Sequence, residues 1–249
     1  MVSPPLQRNR TRTTRKGYYR RNARGNPASY TRYKNRVIAR ANTSSYAPYV
    51  SIHPNRMLVK MRFALNAGEG HALASTSGAV VDYPYRANSL YDPYAGSGGA
   101  QPRNFDQLMT MYAFGVVIKS TIHVSFIYPE GSATNNSMCV GVRLMNTTGA
   151  MGGTSEANIA EGTHTRFKLL TVGSDKQVVR YTYNPHKFFG IKDTTDEKDL
   201  HFSNTADSSR QAGFHVWAYG VGSLTQTCRA IGYIDYTCIL FEPVTPSQS

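Results

Sequence analysis

Residues 8–40 read RNRTRTTRKGYYRRNARGNPASYTRYKNRVIAR; twelve of these thirty-three are Arg or Lys, and none is Asp or Glu. So much like charge, with so few aliphatic side chains, buries too little apolar surface to offset the entropy of ordering the segment. Residues 1–45 are therefore expected to form a disordered basic arm, which leaves residues 46–249 to supply a single folded domain. The charge divides in the same way. The chain has 28 Lys and Arg against 15 Asp and Glu, a net of +13, and the first acid is Glu69. Removing the twelve bases of residues 1–40 leaves 16 bases against 15 acids, so the arm carries +12 and the remainder +1. Such a split points to a polyanion as partner, either nucleic acid or an anionic membrane.

The remainder is rich in Tyr, Thr, Ser, Gly and Val, which is strand and turn chemistry. In RMLVKMRFAL, Met57, Val59, Met61, Phe63 and Leu65 fall on one face, and Arg56, Lys60 and Arg62 on the other. This period of two predicts a strand with one dry face and one basic face. Residues 112–128 keep a single register from Tyr112 to Tyr128, long enough to predict a break near 119–121 or a bulge at Gly115. Further strands are expected at 138–145, 166–172, 177–183, 213–221 and 231–242. Counting 112–128 as two, about eight strands result, with long loops at 66–80 and 146–163 and one short helix within 103–111. That is the pattern of a sandwich or barrel.

The sequence offers no catalytic set. It contains no phosphate-binding GxxxxGK[ST] loop, no HExxH and no GxSxG elbow. The seven His are scattered singly, and a lone His on a strand is more often a structural residue than a ligand. The loop DTTDEKD, with Asp193, Asp196, Glu197 and Asp199, lacks the spacing of a calcium loop and reads as solvated charge balancing nearby Lys. No metal or other cofactor is expected. Cys139, Cys228 and Cys238 are odd in number and widely spaced, as expected of free, buried thiols in a reducing compartment. MVSPPLQRNR has no apolar h-region, so the sequons at Asn42, Asn135 and Asn146 are expected to be unused.

The arm is the candidate binding site. Its cations are Arg8, Arg10, Arg12, Arg15 and Lys16, then Arg20, Arg21 and Arg24, then Arg32, Lys34, Arg36 and Arg40. Arg outnumbers Lys ten to two, and the guanidinium fork matches phosphate oxygens better than an ammonium does. Tyr18, Tyr19, Tyr30 and Tyr33 are interleaved and can stack on unpaired bases, which favours a single strand over a duplex. Arg56, Lys60 and Arg62 would extend the basic surface onto the folded domain. With no amphipathic apolar face to insert, membrane insertion is disfavoured. RKGYYRRNAR also passes as a nuclear-import signal, as any Arg-rich arm would.

Two stretches carry a resemblance. One is NSLYDPYAGSGGAQPRNFDQLMTMYAFGVVIKSTIHV (88–124), with Tyr91-Asp92-Pro93, Gln101-Pro102 and Phe105-Asp106-Gln107. The other is NPHKFFGIKDTTDEKDL (184–200). Together with the arm and a final strand ending in FEP, they resemble the capsid proteins of circular, Rep-encoding single-stranded DNA viruses, the circovirus-like group. The group often has His before the Gln-Pro, where this chain has Ala100. The resemblance implies an all-β, eight-stranded antiparallel jelly roll of two packed four-stranded sheets. It also implies self-assembly into an icosahedral shell of sixty subunits around circular single-stranded DNA. The chain would then reside in the virion, and in the host nucleus during assembly, with host import factors and a surface receptor as further partners. With ~60 copies the arms would supply roughly 720 positive charges to the packaged strand. Charge and stacking alone leave other readings open. These are a jelly-roll coat of a small single-stranded RNA or satellite virus, a monomeric nucleic-acid-binding protein with a basic tail and, last, an enzyme on a β sandwich.

Overall fold

The computed structural model describes residues 54–65, 71–75, 79–96, 100–128, 137–151, 156–171, 173, 176–221 and 225–244. The expected arm, residues 1–45, lies outside the described residues. Ten strands run in chain order: β1 (Arg56–Leu65), β2 (His71–Ser75), β3 (Val80–Arg86), β4 (Tyr112–Ile127), β5 (Met138–Met145), β6 (Thr165–Leu170), β7 (Gln177–Tyr183), β8 (His201–Phe202), β9 (Gly213–Gly220) and β10 (Gln226–Pro243). Three one-turn helices interrupt them: α1 (Phe105–Met109), α2 (Glu156–Ala160) and α3 (Pro185–Phe189).

The strands form two sheets, one in the order β1-β10-β4-β7 and the other β3-β9-β5-β6. Every pairing is antiparallel. The pairs β5–β6, β4–β7, β3–β9 and β1–β10 nest around one another in sequence, like a long hairpin rolled across two layers. This is the jelly roll. Two short strands bring the first sheet to six: β2 pairs with β10 beyond the end of β1, and β8 pairs with β4 beyond the end of β7. The expected total of eight main strands holds through two compensating differences. The 112–128 run is one strand, and β3 was not foreseen because Pro84 in its middle and the charges Asp82 and Arg86 argue against a strand, although Val81, Tyr83 and Tyr85 alternate with them.

β1 follows its sequence pattern: Val59, Met61, Phe63 and Leu65 are buried, and Arg56, Leu58, Lys60, Arg62 and Ala64 are exposed. Burial of each large apolar side chain contributes roughly 1.5–3 kcal/mol. Between the sheets, β1 and β4 supply Phe63, Val117, Ile122, Val124 and Phe126, while β5 and β9 supply Val140, Val142, Leu144, Phe214 and Val216. β4 changes face midway. Thr237 pairs with Lys119 but Cys238 pairs with Val117, so Ile118 is an extra residue. Before this bulge Val117 enters the core and Val116 packs on the opposite face with Leu200 and Phe241; after it the even-numbered residues turn inward. The single apolar register read from the sequence is thus two registers joined at Ile118, beside the break expected near 119–121 and not at Gly115.

The loops expected at 66–80 and 146–163 contain β2 and α2 respectively. The second packs back onto the domain: Met151 and Ile159 cover Trp217 on the outer face of β9. His215 beneath it is fully buried, with Nδ1 at 2.6 Å from an Asp82 oxygen and Nε2 at 3.0 Å from the Thr147 carbonyl.

The motif residues serve packing. Phe105 and Pro102 are buried, and Phe188 and Phe189 pack edge-on against Tyr183. Asn184 caps α3, its side chain accepting from the backbone N–H groups of His186 and Lys187. Asp92 pairs with Arg86 at 3.3 Å, and Asp207 pairs with the same guanidinium at 3.0 Å. Burial raises the Asp92 carboxyl above its ordinary value against the pull of Arg86. All three Cys are free and buried, and burial pushes the Cys228 and Cys238 thiols up to about 12.

Candidate nucleic-acid interface

The outer face of the six-stranded sheet is built by register. Arg62 of β1 lies opposite Asp235 of β10, and Lys60 opposite Thr237. Across β10, Tyr233 lies opposite His123 of β4 and Thr237 opposite Lys119. Across β4, His123 lies opposite Arg180 of β7. Strands of an antiparallel sheet sit roughly 4.8 Å apart, so these pairings gather residues from far apart in sequence into one patch. Lys60, Arg62, Lys119 and Arg180, with His123 and Asp235, line a shallow depression of about 400 Å³. Four bases face one acid there.

That acid is already engaged. Arg62 donates through Nε and Nη2 to the two oxygens of Asp235, at 2.6 and 3.0 Å. The same guanidinium lies 3.9 Å from the Tyr233 ring centre, and His123 stacks on Tyr233 at 4.8 Å and 21°. Two groups this close cannot share one face, so the tyrosine is sandwiched between cation and imidazole. His123 is held below the ordinary histidine range, first by burial, then by Arg180 and Arg62, with Asp235 opposing. Lys60, Lys119 and Arg180 make no ion pair among the described residues. Their charge is therefore available to an external anion. The patch suits phosphate oxygens; among the described residues it has no open ring on which to stack a base, so its chemistry matches a nucleic-acid backbone rather than base edges.

Of the candidate residues read from the sequence, the structure describes Arg56, Lys60 and Arg62. All three are exposed, and it unites Lys60 and Arg62 in the patch. Arg56 stands at the other end of β1. It adds to the lowering of the Asp193 carboxyl, after the hydrogen bonds from Thr195. The arm residues, from Arg8 to Arg40, lie outside the described residues. Lys119, Arg180, His123 and Tyr233 were missed. Their signal was present in outline, since a lone charge within an apolar alternating strand must point away from the core, but only pairing reveals that these charges share a face. Among the described residues no group of three or more His, Cys, Asp or Glu converges as a metal site. In the DTTDEKD loop, Asp193 accepts from the Thr195 N–H and Asp199 from the Ser209 hydroxyl.

Fold and site together define a jelly-roll protein with a basic outer sheet face. No protein-family model matches the sequence, and no curated protein matches it. Solved structures with a similar chain include viral ones. Desmodium yellow mottle tymovirus gives a TM-score of 0.42 at 8% identity, over 83% of this chain and 92% of that one. Mud crab tombus-like virus gives 0.42 at 9%, over 82% and 89%. Cocksfoot mottle virus gives 0.41 at 11%, over 76% and 95%. Likeness at this level carries no weight for function, and the jelly roll rests on the strand order itself. The circovirus-like group that the motifs resemble finds no counterpart among these three.

Proposed function

We propose that the chain is a coat subunit that assembles with copies of itself into a small icosahedral shell of sixty. It packages single-stranded nucleic acid through its arm and the outer face of the six-stranded sheet. Jelly rolls also serve lectins and cupins, and fold alone does not choose among them. The observation that carries the reading is a shared charge asymmetry. Twelve arm cations have no acid among them, and three sheet cations, Lys60, Lys119 and Arg180, have no ion-pair partner among the described residues. A sugar-binding or small-molecule jelly roll has no use for either.

The motif resemblance favours circular single-stranded DNA as the cargo, with assembly in the host nucleus. The same shell around single-stranded RNA is the second reading, since the arm and the sheet face offer the same cations to either strand. Phosphate contacts do not distinguish the two sugars; nuclease digestion of purified particles does. Deleting residues 1–40 tests the division of labour. The truncated chain is expected to fold and associate while losing encapsidated nucleic acid. Packaging at the full-length level would contradict the role of the arm.

A further inference from the structure

Beside the basic face, a second and larger cleft of about 740 Å³ opens along the edge of β1 that no other described strand pairs. This is the size range of small-ligand sites. We propose that it receives one unpaired nucleobase of the bound strand, an inference that rests on the nucleic-acid reading above. Three observations carry it. One wall is aromatic: the His71 ring stacks on Tyr83 at 4.1 Å and 23°, with Tyr94 and Tyr85 at 5.2 and 5.7 Å. His71, Tyr85 and Tyr94 all line the cleft. The Tyr85 hydroxyl is shut off from solvent and has no hydrogen-bond partner among the described residues. A buried donor without a partner is destabilising, and the heteroatoms of a base edge would satisfy it.

Charge supplies the third observation. Among the described residues the cleft is lined by Lys60, Arg62 and Arg103 and by no carboxylate. Arg62 is committed to Asp235, but Lys60 and Arg103 make no ion pair among the described residues. An anionic ligand with a flat π ring and polar edge atoms matches all three features, and a nucleotide within a strand is such a ligand. Lys60 and Arg62 line both the cleft and the sheet depression. Phosphates held on the sheet would therefore lie next to the place where a base turns in. Aromatic stacking of this kind tolerates any base.

The test uses full-length protein, a short single-stranded oligonucleotide carrying photoreactive 5-iodouracil, and mass spectrometry of the crosslinked peptides. Crosslinks to His71 or Tyr94 are expected. Tyr85→Phe removes only the unpartnered hydroxyl, so its thermal midpoint should not fall while oligonucleotide affinity drops about fivefold. Crosslinks confined to the arm, with affinity unchanged in Tyr85→Phe, would overturn the cleft and leave the coat reading intact. Hydrogen-exchange protection of the cleft in empty shells, with no crosslink there, would also overturn it and make the cleft a subunit contact. Failure to bind any oligonucleotide would defeat the nucleic-acid reading itself.

Discussion

Gly232 of β10 faces the backbone of β4 so closely that an added Cβ would overlap the His123 carbonyl. That oxygen belongs to the sheet ladder and cannot swing aside. Gly232→Ala is therefore expected to destabilise the domain by about 1–3 kcal/mol, as overpacking does, read as a lower urea midpoint at unchanged slope. The neighbouring His123 gives a pH dependence. Its folded-state value lies below the ordinary histidine value because burial and two arginines oppose its charge. The unfolded chain therefore binds the proton first. The contribution to stability is full above about pH 6.5 and is lost as pH falls through the folded-state value. Wild type should lose more stability between pH 7.5 and 5 than His123→Gln; equal losses would contradict this assignment.

At the scale of elements, the bulge at Ile118 makes a counterintuitive prediction. Removing Ile118 leaves Val117 facing in, Lys119 out and Ser120 in, so both halves of β4 keep their faces. A deletion elsewhere, at Val124 for example, turns the short end of the strand over. The Ile118 deletion should remain soluble and cooperatively folded, and the Val124 deletion should not, as circular dichroism melting would show. The same element shows what the sequence allows a reader to see. β1, β5, β7 and β9 were legible because strict alternation or a short apolar run marks them. The change of face was not, since apolar residues hold the even positions on both sides of Ser120 and so read as one register. β3 was hidden by Pro84 and by the charges Asp82 and Arg86, whose partners His215 and Asp207 are remote in sequence. Of the site, Lys60 and Arg62 were readable from one strand's pattern. Lys119 and Arg180 were not, because a patch assembled across β1, β10, β4 and β7 exists only once register is known.

Across the whole molecule, the proposed coat divides its labour between a nearly neutral β domain and an unbalanced arm. The domain supplies shape and a modest phosphate-binding face. The arm supplies charge that only a polyanion can neutralise, and each phosphate neutralised releases counterion. Binding should therefore weaken steeply as salt rises, with little dependence on sequence. The most direct measurement is electron microscopy of full-length protein at moderate salt, with the ultraviolet absorbance ratio taken on the same fraction. Uniform closed shells containing nucleic acid are the expected result. A protein that stays monomeric while saturated with full-length single-stranded nucleic acid, across a range of salt, would contradict the claim that this chain builds a coat.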